Sequence, residues 1–238
     1  MVSQAAETSG IGSAGNGGLG RVILASRSPR RRELLREAGI DHEVMLPGFD
    51  DSALEPGDVA AEAWVSSLAY LKASSVAREM IRAGVATGDA FIVGADTTCV
   101  VKDARGRERF VGTPQNEQEA REMIREFVGR EHAVVTGVAI VRVENGRLKR
   151  ELFVDRATVT LGELSEAQIN DYVASGAWRG KAGGYNLTDR VEAGWPLTWS
   201  GDPATIVGLP IGKLVARLRR SPRTPRPSGT RTLSPAAA

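Results

Sequence analysis

The sequence predicts a mixed α/β or α+β domain built on an extended, partly antiparallel sheet. Three observations carry this: short apolar runs alternate with segments of helical periodicity, one long amphipathic segment spans residues 60–83, and two apolar runs meet at Glu144-Asn145-Gly146, an Asn-Gly hairpin turn.

The elements follow in order. Val22 to Ala25 is a short strand, followed by a polar loop and a helix over Pro29–Ala38 that stops at Gly39. Val44 to Leu46 reads as another short strand. From Ala60 to Ala83 the apolar residues Trp64, Val65, Leu68, Leu71, Val76 and Met80 recur at helical spacing, with Gly84 as the C-terminal stop. Ala90 to Gly94 is a buried strand ending in Ala95-Asp96-Thr97, and Thr98 to Val101 continues extended. Asn116 to Phe127 is helical. Ala133 to Val143 and Arg150 to Leu161 are the hairpin strands, and Ser165 opens a helix to Ser175 with Gln168 completing a capping box. Ala204 to Leu209 and Lys213 to Leu218 read as a last strand and helix. Residues 1–20 and 221–238 are poor in apolar residues and are expected to be a disordered leader and a disordered basic Pro/Ser tail around a single domain at 21–220.

An apolar share of 42% and a charged share of 25% are those of a soluble globular protein. The net charge of +2, with part of the basic excess in the tail, gives no ground for a nucleic-acid partner. One cysteine, Cys99, rules out an intrachain disulfide and speaks against a four-ligand zinc site. No apolar run reaches the ~20 residues of a membrane span, and the N-terminus has no signal-peptide pattern, so a cytoplasmic protein with no membrane partner is expected.

The chemistry concentrates in Leu24–Leu35, LASRSPRRRELL. Ser28 is a good N-cap and Pro29 suits the first helical position. Arg30, Arg31 and Arg32 then crowd a helix start, where cations are unfavourable by ~0.3–1 kcal/mol each. Such a cluster can be plain solvated surface, but beside two hydroxyls and a strand-to-helix turn it reads as a phosphate loop. Its spacing is not that of a Walker A loop.

Asp96 follows an apolar strand, just where open α/β sheets bind ligands. Read alone, it fits a strand-end turn as well as a carboxylate that holds Mg²⁺ or deprotonates water. Lys72 on the long helix and Asp50-Asp51 before it read alone as surface, and Gly180-Lys181-Ala182-Gly183-Gly184-Tyr185 as a plain glycine-rich loop. His42 and His132 have no partners at metal-ligand spacing; His132 reads as structural.

Taken together and in this order, LASRSPRRRELL (24–35), LAYLKA (68–73), GADTTCVV (94–101), GTP (112–114), HAVVTGVAIV (132–141), GKAGGY (180–185) and IVGLPIGKL (206–214) resemble the Maf family, septum-formation-associated nucleoside triphosphate pyrophosphatases. The resemblance runs from Arg21 to Leu218. It implies the fold of inosine triphosphate pyrophosphatases, a long twisted mixed sheet flanked by helices around a central cleft. It implies cleavage of the α–β phosphoanhydride of nonstandard or pyrimidine nucleoside triphosphates with a divalent cation, Mg²⁺ or Mn²⁺. Asp96 falls on the proton-accepting aspartate and shares in metal binding. Ser26, Ser28, Arg30 and Arg31 fall on phosphate contacts, Asp51 on an acidic position that is commonly glutamate, and Lys72 and Lys181 on the two lysines. Homodimers are common in the family, although no apolar stripe in this sequence indicates one.

Two departures stand out. The family usually has Gly-Lys-Pro where this chain has Gly112-Thr113-Pro114, so one cleft cation is missing unless Lys102, Arg105, Arg107 or Arg109 replaces it. In that family base preference is tracked by three positions, and the resemblance implies that Arg30 and Thr97 match the dTTP/UTP branch, whereas Thr188 stands where glutamine is typical. Thr113 and Thr188 leave room for an alternative, a weakly active nucleotide-binding regulator of cell division. An inosine/xanthosine triphosphatase is disfavoured by the SxSPRR loop.

Overall fold

The computed structural model describes residues 19–51 and 54–220. The expected tail and all of the expected leader but Leu19 and Gly20 lie outside them. Leu19 packs against the core.

Among the described residues the strands are β1 (Val22–Ala25), β2 (Glu43–Met45), β3 (Phe91–Lys102), β4 (Glu108–Val111), β5 (Arg130–Glu144), β6 (Arg147–Leu161) and β7 (Leu197–Ser200). They form one mixed sheet in the order β2-β1-β3-β5-β6-β7, with β4 paired to β3. β1 runs parallel to β2 and β3, and the remaining pairings are antiparallel. The β5–β6 hairpin turns on Asn145 and Gly146, both at positive φ (51° and 72°), as an Asn-Gly turn requires.

The helices are α1 (Pro29–Glu37), α2 (Ala61–Arg82), α3 (Glu117–Phe127), α4 (Glu166–Ala174), α5 (Leu187–Glu192), α6 (Pro203–Val207) and α7 (Ile211–Arg220). α2 lies along one face of the sheet, burying Val65, Ala69, Ala73, Val76 and Met80 against β1, β3 and β5. The approach is close enough to exclude any side chain beneath it. A Cβ on Gly94 would lie 2.3 Å from the Ala69 carbonyl oxygen, and one on Gly137 would lie 2.6 Å from the Val65 carbonyl carbon. The opposite face is shared by two clusters. One gathers Leu35 of α1, Leu209 from the turn after α6, and Leu214 and Leu218 of α7 over β1 and β3, and the other gathers Ile124, Phe127, Ile169, Val173 and Trp178 around α3 and α4.

Two expectations change. Ala204 to Leu209 is not a strand: Asp202 accepts a hydrogen bond from the Ala204 N–H, Pro203 opens α6, and Gly208 ends it at φ 117°. The Asp-Pro start signal overrides the β-branched run Thr205-Ile206-Val207 in a segment this short. The segments 90–94 and 98–101 belong to one strand, so Asp96 stands mid-strand rather than past a strand end. The offset has a simple origin: β1 pairs with β3 only as far as Gly94, and β4 begins pairing at Cys99. Between those points the edge of β3 is left open beside the end of β1.

Candidate active site

The open stretch of β3 faces the loop that follows β1. Ser26 Oγ accepts from the Ser28 N–H (3.1 Å), and Ser28 Oγ caps α1 by accepting from the Arg31 N–H (3.5 Å). These bonds turn α1 so that Arg31 points back over the sheet. Its Nε donates to the Gly208 carbonyl (2.8 Å), Nη1 to Ser26 Oγ (3.4 Å) and Nη2 to Thr97 Oγ1 (3.0 Å). Burial pulls the Arg31 pKa down, and the nearby Asp96 carboxylate opposes that shift. Arg30 also lines the cavity, whereas Arg32 turns to the Arg27 carbonyl (3.4 Å).

On the α2 side, Lys72 Nζ sits between two carboxylates, 2.6 Å from Asp96 Oδ1 and 2.6 Å from Asp51 Oδ2. Burial raises the Asp96 pKa above the ordinary aspartate value, with Lys72 and Arg31 pulling it down and Asp51 adding to the rise. A carboxylate in this setting holds a proton more readily than a solvated one while staying charge-paired, which suits a base.

These groups line one cavity of about 400 Å³, together with Ser28, Thr97, Thr113 and residues of the glycine-rich loop. Among its lining residues Arg30, Arg31 and Lys72 face Asp51 and Asp96, a surplus of one positive charge. Ser28, Arg31, Asp51 and Lys72 also line a smaller adjoining recess of about 170 Å³, to which Ser26 and Arg27 are added. The far wall is apolar and aromatic: Val134, Val159, Leu187, Ile206 and Tyr185. Here Gly183 sits at φ 73° with its N–H on the Gly112 carbonyl (3.0 Å), and a Cβ at this position would come 2.9 Å from Cys99 Sγ. Only glycine fits there.

The structure thus brings Ser26, Ser28, Arg30, Arg31, Asp51, Lys72, Asp96 and Thr97 together around adjoining cavities. It does not bring in the other two expected residues. Lys181 is absent from the lining and pairs with Asp189 (2.9 Å), and Thr188 is exposed at the start of α5, its N–H on Asn186 Oδ1 (3.0 Å). Nor does the loop after β3 replace the missing lysine: Arg107 pairs with Asp103 and Arg109 with Glu126, and neither they nor Lys102 and Arg105 line the cavity.

Sequence reasoning passed over His132, Tyr185 and Cys99 as cavity residues. His132 stacks on Phe127 (centroids 4.1 Å apart) and its Nε2 meets the Tyr185 hydroxyl at 2.9 Å. Burial pulls its pKa down to about 4, so the ring is neutral. No local signal marks this pairing, because its members lie 53 residues apart.

Among the described residues no three His, Cys, Asp or Glu side chains cluster as a ready-made metal site, and no helix is long and apolar enough to cross a membrane. The two carboxylates that converge on Lys72 are oxygen donors of the kind hard divalent cations take, with room in the cavity for phosphate oxygens as further ligands.

A family model described as Maf-like protein matches residues 21–221. Relatives include proteins named dTTP/UTP pyrophosphatase from Bacillus cereus (strain B4264) and Bacillus thuringiensis subsp. konkukian (strain 97-27). Each is 36% identical over 203 residues, spanning 84% of this chain and 95% of the relative.

Proposed function

The chain belongs to the Maf family, and from that premise and the cavity's geometry we propose that it hydrolyses nucleoside triphosphates, dTTP and UTP foremost, to the monophosphate and pyrophosphate. The observation that carries the reading is the placement of Asp96: a buried carboxylate held by Lys72 (2.6 Å) in the same cavity as the Arg31 guanidinium.

Arg30 and Arg31, with the Ser28 hydroxyl, hold the phosphates, and the apolar far wall takes the base. Asp96 accepts a proton from water as the water oxygen bonds to phosphorus and the α–β bridging bond breaks. Negative charge grows on the departing pyrophosphate, where the guanidiniums and Lys72 are already in place to meet it. The surplus of one positive charge in the lining does not match a triphosphate, which supports a divalent cation as part of the working site. Asp51 and Asp96 would hold Mg²⁺ or Mn²⁺ jointly with the substrate's own oxygens, and the ion supplies charge neutralisation when bound. Thr113 supports a second reading, a nucleotide-binding regulator with weak turnover, because it leaves the cavity one cation short of the family pattern.

The deciding measurement is pyrophosphate release from dTTP, UTP, CTP, 7-methyl-GTP and ITP with Mg²⁺ or Mn²⁺, beside Asp96→Asn. Turnover that is fastest on dTTP and UTP and is lost in the variant is expected. Activity indifferent to Asp96 would overturn the mechanism, and tight binding without turnover in the wild type would favour the regulator.

A further inference from the structure

Four hydroxyl or carbonyl groups on three elements, β3, β5 and α6, form a chain leading away from the Arg31 guanidinium. Arg31 Nη2 donates to Thr97 Oγ1 (3.0 Å), Thr97 Oγ1 meets Thr136 Oγ1 (2.8 Å), and Thr136 Oγ1 donates to the Thr205 carbonyl (2.8 Å). Thr205 Oγ1 in turn donates to Asp155 Oδ2 (2.7 Å), whose other oxygen holds Lys213 Nζ at 2.6 Å.

The directions follow from proton counting. A threonine hydroxyl has one proton, and a carbonyl or an ionised carboxylate has none to give. Thr136 spends its proton on the Thr205 carbonyl, a group in the last turn of α6 that the helix itself leaves without a donor. Thr136 therefore accepts from Thr97, whose proton is spent in turn, and Thr97 is left to accept from Arg31. Both Thr136 and Thr205 are fully buried, so water does not compete for these bonds. Gly208 completes the anchor by accepting from Arg31 Nε at 2.8 Å. With Nη1 also bonded to Ser26, the guanidinium keeps one N–H on each terminal nitrogen for the cavity, a fork that matches two phosphate oxygens.

We infer that Thr97 and Thr136 are positioning residues that fix the Arg31 fork toward the substrate's phosphates through a one-way hydrogen-bond chain ending on α6. Thr97 has no proton left for a substrate atom, so it acts on the substrate through Arg31 rather than by donating to the base. The inference rests on the phosphate-holding role proposed for Arg31.

The test is a cycle of Thr136→Val and Arg31→Lys, read as kcat/KM on dTTP and as affinity for tripolyphosphate. In the wild-type background Thr136→Val is expected to cost about tenfold to a hundredfold, the scale of a misaligned catalytic contact. In the Arg31→Lys background it is expected to cost less than about threefold, because the group it positions is gone. Thr136→Ser, which keeps the hydroxyl, recovers most of the loss. An equal factor in both backgrounds, or no loss from Thr136→Val, overturns the inference, since a general loosening of the fold would act alike in each. If the valine variant does not fold, Thr97→Val breaks the same chain one link closer and must show the same non-additivity. Wild-type turnover tests the pyrophosphatase reading separately, and the tripolyphosphate affinities decide the chain even without turnover.

Discussion

Asp96 and Thr97 are neighbours in sequence, yet they belong to opposite faces of β3 and are held by different physics. On the α2 face the arrangement is ionic. Glycines at 94 and 137 let the helix sink onto the strands, and Lys72 then reaches both Asp96 and Asp51. On the other face it is built from neutral hydroxyls, Thr97 and Thr136, that tie Arg31 to α6. On the proposed mechanism the first face bears the charge that does the chemistry, and the second sets the direction of the group that binds. The two meet only because the edge of β3 is open from 95 to 98.

The contrast is tested hardest by Asp96→Asn. Removing a general base is expected to lower kcat by about 10²–10⁴-fold. The linkage sign makes the stability outcome distinctive. The Asp96 pKa is raised in the folded state, so its contribution to stability is fully present below the unfolded pKa and is lost as pH rises through the folded value. At neutral pH the ionised group is thus a burden, and the asparagine variant is expected to melt no lower than the wild type. For the same reason kcat/KM in the wild type falls on the acid side at a pH above the ordinary aspartate range. A large drop in Tm for the variant would show that Asp96 is structural instead.

Next comes the closeness of α2. Gly137→Ala places a methyl 2.6 Å from the Val65 backbone, which has no flexible end to give way. The expected loss of stability is about 1–3 kcal/mol, measured by denaturant unfolding, with kcat falling because Lys72 is displaced along with the helix. Gly208→Ala strikes the hydroxyl face. It strains a residue at φ 117° and brings a methyl 3.1 Å from Thr97 Oγ1 and 3.3 Å from Arg31 Nε. Here about 1–2 kcal/mol is expected, with KM rising more than kcat falls. A kcat defect equal to that of Gly137→Ala would erase the distinction between the faces.

How far the sequence revealed this depends on the range of each interaction. Ser28, Pro29, the Ser165–Gln168 capping box and the Asn145-Gly146 turn act over a few residues, and all were legible. Asp96 was visible as chemistry but misplaced by its apparent strand end, because the end that matters is that of β1, about 70 residues earlier in the chain. The hydroxyl chain spans separations of 39 and 69 residues, and nothing local sets Thr136 apart from any other strand threonine. α6 reads as a strand in the sequence because five residues are too few to show a helical period. Lys181 and Thr188 show the limit of a motif read alone: the motif marks the loop, but only the fold shows that Lys181 pairs with Asp189 and that Thr188 stands exposed at the start of α5, both off the cavity lining.

The smallest effect is expected at Thr113. Its neighbours hold the backbone in place, since the Gly112 carbonyl accepts from Gly183 and the Thr113 carbonyl from Gln115 Nε2 (2.8 Å). A lysine installed there would start from a fixed point on the cavity wall. The lining has a surplus of one positive charge, and no basic residue of the 102–109 loop contributes to it. Thr113→Lys is therefore expected to raise kcat, by about tenfold at most. That is less than the two to three decades a preorganised donor is worth, because the new ammonium lacks a partner to orient it. The measurement is kcat on dTTP across a Mg²⁺ titration. A gain confined to low Mg²⁺ would mean that ion and lysine meet the same charge, whereas a gain at every concentration would place the deficit where the ion does not reach. No gain at any concentration would show that the ionic face is already balanced with threonine at this position.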